Sequence, residues 1–245
     1  RLPVLPHINF VETEAQTIID EIIGGYEQIA GVRLAQGDPR RLYLLSLAYI
    51  IVQQRQQIDA AGKSNLVYYA SGDYLDHLGA FREVERLAAK PAITTVRFRV
   101  SAPQLQPIGI PAGTRVTHDD ALYWRTTAPA TIPAMQQFFD VPAEAMTPGE
   151  SGNGLQVGEI ASLVDPTPFV ATVENRTVTE GGIDREDDEP YRERIFRAPS
   201  AFSVAGPAEA YVFWALTANQ LIVNVSATSP SPSVAEIRPL LQGGV

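Results

Sequence analysis

The spacing of apolar residues changes twice along the chain and divides it into three stretches. From residue 10 to 62 apolar side chains recur every three or four positions, which predicts two helices. The first carries Ile18, Ile22, Tyr26 and Ile29 on one stripe, broadened by Ile19 and Ile23. Gly24-Gly25 falls in the middle of it. A mid-helix glycine costs about 1 kcal/mol against alanine, so the pair predicts a kink or a close approach by another backbone. "QGDPRR" then breaks the pattern and restarts it, with Asp38 placed as N-cap and Pro39 as the first helical residue. The second helix carries Leu42, Leu45, Tyr49 and Val52 on one face, yet is apolar on nearly every side from Leu42 to Val52 before turning polar in "QQRQQ". Such a helix needs partners beyond one neighbour.

"SGDYLDHLGAFREVER", residues 71 to 86, reads as a short helix begun by Ser71 or Asp73 and closed near Gly79, with Tyr74, Leu75 and Leu78 facing inward. From Pro91 the period becomes two. "TTVRFRV" alternates Val96, Phe98 and Val100 with Arg97 and Arg99, a half-buried strand. "PIGIPAGTRVT" gives two short strands about a turn, and "LYWRTT" and "FVATVENRTV" give further strands either side of the "GESGNG" turn. The frequent prolines suit edges and connections. Beyond Gly181-Gly182 the pattern is α/β: a helix over about 187 to 197, a second over "SVAGPAEAYVFWALTA" with Pro207 in its first turn, a buried strand "LIVNVSA", a loop "TSPSPS", and "VAEIRPLL". The fold class expected is α+β. An N-terminal helical region (1–90) and an inserted all-β domain (91–180) precede a C-terminal α/β domain (181–245). That last domain stops soon after a strand and turn and reads as truncated.

Composition narrows the function. Nineteen Lys and Arg against 28 Asp and Glu give a formal charge of −9, the wrong balance for gripping phosphates, so nucleic acid is not an expected partner. There is no cysteine, hence no disulfide, thiolate metal site or cysteine nucleophile, which fits a cytosolic origin. No apolar run approaches the roughly 20 residues that span a bilayer, and the proline-rich start does not read as a signal peptide. Membrane insertion is not expected.

The most concentrated chemistry is "GGIDREDDEPYRERI", where Asp184, Glu186, Asp187, Asp188 and Glu189 are broken only by Arg185. Acids in a first helical turn interact favourably with its free N–H groups, by about 0.3–1 kcal/mol each. Asp188 to Arg192 and Glu193 to Arg197 are i,i+4 pairs in the favourable order. Consecutive acids splay around a helix, whereas a calcium loop needs alternating ligands and a sharp glycine turn. A solvated helix start is therefore expected. His7, His77 and His118 have no second ligand at metal-binding spacing. "SGNG" lacks the Lys-Ser/Thr of a phosphate loop, and no G-x-S-x-G elbow occurs. Trp124 and Trp214 sit in periodic segments and read as core. No catalytic, cofactor or metal residue is expected.

The order of these motifs resembles the baseplate J-like family of contractile phage tails, which includes Mu-like baseplate proteins. The likeness extends more remotely to T-even wedge proteins, tailocins and type VI secretion baseplates. It covers roughly residues 65 to 235. Gly181 to Arg194 is its most specific part, supported by Ser203 to Tyr211 and the Ser-Pro repeat from Ser229 to Pro232. The family's chains continue past that repeat, and its β domain is variable.

The resemblance implies an architectural protein without catalysis or cofactor. Its N-terminal helices would join a bundle with copies of itself and other wedge proteins. Its C-terminal domain would pair wedges into a six-fold ring around the hub, near the sheath-initiating components. The expected site is the virion tail baseplate, assembled in the host cytoplasm, and baseplate rearrangement would be coupled to sheath contraction. The interface candidates are Ile18, Ile22, Tyr26, Ile29, Leu42, Leu45, Tyr49 and Val52. The alternative is a β-domain module that binds carbohydrate or another surface ligand, with or without hydrolysis, for which Glu144, Glu150 and Glu159 are the nearby candidates.

Overall fold

A computed structural model describes residues 4–201 and 207–243. Ser203 to Gly206, the start of the expected second C-terminal helix, lie outside the described residues. The chain forms two compact units, residues 1–86 with 187–245, and residues 87–186.

The first unit opens with α1 (Ala15–Ala30) and α2 (Pro39–Lys63), an antiparallel pair. Helix α1 runs through Gly24 and Gly25 without interruption, and no atom lies within 4 Å of where a Cβ on either would stand. It ends at Gly31, whose left-handed φ of 66° lets its amide donate to the Glu27 carbonyl. Asp38 caps α2 as expected, its carboxylate accepting from the Arg40 amide at 2.9 Å, with Pro39 at the first position. Asp59 near the other end of α2 accepts from the Phe10 amide at 2.8 Å and from Lys63 at 2.5 Å, pinning the N-terminal segment to the helix. The Lys63 and Phe10 bonds hold the Asp59 carboxyl below its ordinary range, against the opposing pull of burial. Helix α3 (Gly72–Ala80) buries Leu75; Tyr74, expected inside, is exposed, turned about 100° round the helix from the buried Leu75.

The second unit is a nearly closed antiparallel barrel. Its six strands run in the order β7 (Ser162–Leu163), β3 (Arg115–Thr117), β4 (Tyr123–Thr126), β6 (Phe138–Ala145), β1 (Ile93–Val100), β8 (Val170–Asn175). A separate two-stranded ladder joins β2 (Ile108–Ile110) to β5 (Ala130–Ile132), so the two short strands of "PIGIPAGTRVT" lie in different sheets. Strand β1 has the expected alternation, with Val96, Phe98 and Val100 buried. Together with Trp124, Val141 and Ile160 they form one core.

Strands β5 and β6 were not legible, and β6 is central despite Pro142. That proline faces Thr127, one residue past the end of β4, so its missing N–H falls where the ladder has run out. Its carbonyl still accepts from the Thr127 amide at 3.0 Å and hydroxyl at 3.2 Å. The ends of the barrel insert meet each other: the Leu87 amide donates to the Glu186 carboxylate at 3.0 Å, and the Glu186 amide to the Leu87 carbonyl at 3.1 Å.

The chain then returns to the first unit with α4 (Asp188–Ala201) and α5 (Ala208–Ala218), followed by the hairpin β9 (Ile222–Ser231) and β10 (Val234–Leu241). Tyr191, Ile195 and Ala198 of α4 join Leu75, Val84 and Phe213 in a second core. The hairpin differs from expectation twice. Strand β9 continues through most of "TSPSPS", leaving only a tight turn at 232–233. It is also largely exposed, although α5 packs on it. The α+β class stands: helices, an antiparallel barrel, then helices and strands.

Candidate functional site

The acidic stretch does not make a site; it is divided among separate structural tasks. Within the barrel unit, Asp184 accepts from the Glu150 amide at 2.8 Å, and Glu186 closes the base of the insert. Asn153 of "SGNG" both accepts from and donates to the Gly182 backbone, each at 2.8 Å, so that loop is occupied in holding its own fold. Gly182 is required there, since a Cβ would stand 2.3 Å from the Gly149 carbonyl oxygen.

Within the first unit, Asp188 reaches across to Arg86 at 2.7 Å and accepts from the Gly72 amide at the start of α3 at 3.1 Å. Burial raises its carboxyl, but those two partners outweigh it and the net shift is downward. The expected Asp188–Arg192 pair is therefore replaced by a tertiary one. Arg192 instead pairs with Glu189 and donates to the carbonyls of Val67 at 2.8 Å and Ala70 at 2.6 Å. Glu193 and Arg197 do pair, at 2.9 Å.

Arg192 and Arg194 are both buried, Arg194 donating to the Glu85 carbonyl at 2.5 Å. Tyr191 lies between Arg86 and Arg194, its ring centroid 4.5 and 5.6 Å from the two guanidinium carbons, and its hydroxyl donates to the Val84 carbonyl at 2.7 Å. This helix start is a fastening, not the solvated terminus its charges suggested. Sequence spacing could not reveal partners about 100 residues upstream.

The remaining polar candidates are likewise engaged or apart. Arg125 binds Glu144 at 2.8 Å, and Glu159 accepts from the Gln156 amide at 2.6 Å. His118 lies 2.8 Å from the Glu159 carbonyl oxygen. Trp124 is fully buried in the barrel, its indole N–H without a partner among the described residues. Trp214, expected in a core, is 59% exposed on α5. Among the described residues no group of three or more His, Asp and Glu side chains could hold a metal ion.

What distinguishes the surface is uncovered apolar helix. Of the interface candidates, Ile18 and Val52 are buried inside the α1–α2 pair, and Ile22, Tyr26 and Leu45 are half-buried against it. Ile29, Leu42 and Tyr49 are exposed. A second stripe, not singled out by the sequence, holds Tyr43, Leu47, Ile50 and Ile58, all exposed, with Tyr43 and Ile50 on the side of α2 opposite Ala48 and Val52 and Leu47 and Ile58 on its flank. Its 4-3 spacing with Gln54 in register was the available signal.

Two family descriptions match adjoining parts of the chain. The baseplate J-like N-terminal domain matches residues 37–92, and the baseplate J-like protein barrel domain matches residues 95–182. Together they span more than half of the sequence. The chain belongs to the baseplate J-like family. It is thereby a baseplate structural component, and the barrel match falls within the second unit described above. Among solved structures it is similar to a chain of the six-fold symmetrised cryo-EM structure of the anti-feeding prophage baseplate. Identity is 13% and the TM-score 0.47, over 93% of this chain and 63% of that one. The present chain thus spans under two thirds of that chain's length. No curated protein matches it.

Proposed function

We propose that this baseplate J-like chain is a non-catalytic wedge subunit. Its α1–α2 pair enters a helical bundle with copies of itself or another wedge protein. The α5 and β9–β10 region meets neighbouring wedges to complete a ring around the hub, and the ring's rearrangement is passed to the sheath-initiating components. The virion tail baseplate, assembled in the host cytoplasm, is its site of action.

The observation that carries this reading is the second apolar stripe of α2. Tyr43, Leu47, Ile50 and Ile58 are exposed although α2 already has a partner in α1. Exposed apolar side chains gathered on a helix that is already paired mark an interaction surface. The reading is tested with Tyr43→Glu combined with Ile50→Glu. Because both side chains are exposed, the variant keeps its helical circular dichroism and its urea midpoint. Co-expressed with the neighbouring tail proteins, it is absent from the assembled baseplates that contain the unaltered chain. Normal incorporation of the double variant would overturn the bundle assignment.

A further inference from the structure

Helix α2 changes character halfway along its free side. Tyr43, Leu47 and Ile50 are followed by Gln54 and Gln57 within one sector of about 80° round the helix. The first three are exposed apolar side chains and the last two are exposed amides. Ser46 stands beside the apolar ones, but its hydroxyl donates to the Tyr43 carbonyl at 2.6 Å and is satisfied within the helix. The amide half is dense. Gln53, Gln54, Gln56 and Gln57 surround Arg55, and none of the four side-chain amides has a partner among the described residues.

Charge does not select the partner of this side. Between Arg41 and Asp59 the only charge on α2 is Arg55, which turns to α1, 3.9 Å from Glu21. Arg40, ahead of the stripe, is bonded to Asp38 at 2.7 Å. An acidic or basic partner helix would gain nothing along the stripe, whereas a neutral one meets no repulsion.

The amides do select. A glutamine side chain both donates and accepts, so its match in a closed seam is another amide at the same level. Set against hydrocarbon, it loses its water and gains no bond. In an antiparallel pair of α2 helices, the amide half of one would lie on Tyr43, Leu47 and Ile50 of the other. In a parallel pair in register, apolar half meets apolar half and Gln54 meets the same residue of the second copy. The spacing agrees, since these five residues alternate by four and three, the seam of a left-handed coiled coil in which one polar residue can set register.

We propose that α2 pairs in parallel and in register with α2 of a second copy of the chain, and that Gln54 sets the alignment. The pairing rests on the bundle assignment above and goes beyond it, since that assignment leaves the partner and its direction open.

The chain has no cysteine, so an introduced thiol reports one position. Tyr43→Cys and Gln57→Cys place thiols two heptads apart on the same seam and leave Gln54 in place. The two 245-residue variants, with their folds checked by circular dichroism, would be mixed, oxidised mildly, and their linked dimers identified by mass. Parallel pairs join 43 to 43 and 57 to 57, whereas antiparallel pairs centred on Ile50 join 43 to 57. Same-position links should exceed crossed links at least ~10-fold, because the crossed arrangement leaves amides against hydrocarbon. They should also form at least ~10-fold faster than links through Gln56→Cys, an exposed position about 140° round the helix from Tyr43. Adding Gln54→Leu to both seam variants should bring same-position and crossed links to similar yields. An excess of crossed links, seam rates no faster than the Gln56→Cys control, or an excess untouched by Gln54→Leu would each overturn the proposal. The bundle assignment fails separately. If Tyr43→Glu with Ile50→Glu is excluded from baseplates while no seam thiols link, the stripe serves a different protein and only the pairing of copies falls.

Discussion

Arg86 is 6% exposed and is bonded to two carboxylates, Asp76 at 2.8 Å and Asp188 at 2.7 Å, while its guanidinium lies over Tyr191. Removing one partner of a buried ionic cluster leaves the others uncompensated, and costs more than the pair contributed. Arg86→Ala should therefore lower the unfolding free energy by about 3 kcal/mol in urea titration, a typical cost for such a group. Asp188→Asn should cost less, about 1–2 kcal/mol, because Asp76 still serves Arg86. Arg238→Ala, whose pair with Glu236 is open to solvent, should stay within about 0.5 kcal/mol. An Arg86 variant no weaker than the Arg238 one would show that the fastening contributes nothing. None of this was visible in "REDDEPYRER". The sequence displays which side chains are charged and four residues apart, and those rules describe an isolated helix. Here burial of Arg192 and Arg194, and a partner for Asp188 more than 100 residues away, displaced the local pairing.

At the level of elements, legibility followed the strength of the local signal. The Asp38-Pro39 cap, the alternation of β1 and the existence of helices α1 and α2 depend on neighbours a few residues apart, and they were read correctly. Strand β6 was hidden because Pro142 argues against a central strand, and its tolerance depends on where β4 happens to end. The interface stripes mixed two kinds of position that sequence cannot separate. Ile18 and Val52 face the partner helix within the chain, while Ile29 and Leu42 face outward. Gly24 and Gly25 yield a prediction here. With nothing near a Cβ on either, Gly24→Ala should raise the stability of the free chain by up to about 1 kcal/mol in urea titration, the propensity difference alone. If α1 meets another backbone closely in the assembled bundle, the same substitution should lower incorporation into baseplates. A stabilised variant that assembles normally would remove any packing role for the glycine pair.

The molecule as a whole should be sensitive to acid. Asp59, Asp140, Asp165 and Asp188 all have carboxyls held below the ordinary value of 3.8, by Lys63 and Phe10, by Arg97, by Arg115, and by Arg86 with Gly72 respectively. A lowered folded pKa means the unfolded chain binds protons first, so the stability these groups supply is complete above the ordinary carboxylate range. It is lost as pH falls through their folded values. The urea midpoint should be level between about pH 7 and pH 5, and should decline below about pH 4. A midpoint that rises on acidification below that range would contradict the assignment. Three of the four ion pairs bridge distant positions, so their loss loosens both units rather than fraying one end.

The first unit is built from both ends of the chain, with the barrel emerging between them. During synthesis this sets an order of events. At ~5–20 residues per second, the roughly 100 residues of the insert keep Arg86 waiting on the order of 5–20 s before Asp188 is made. The Leu87–Glu186 closure of the barrel waits almost as long, because Glu186 precedes Asp188 by two residues. The newborn helices α1 to α3 thus pass that interval tethered to an unfinished barrel, and α3 passes it without Tyr191 and Phe213. Their exposed stripes are then within reach of other nascent chains. A cell making many copies of this protein needs either a waiting partner or a chaperone to bridge that gap.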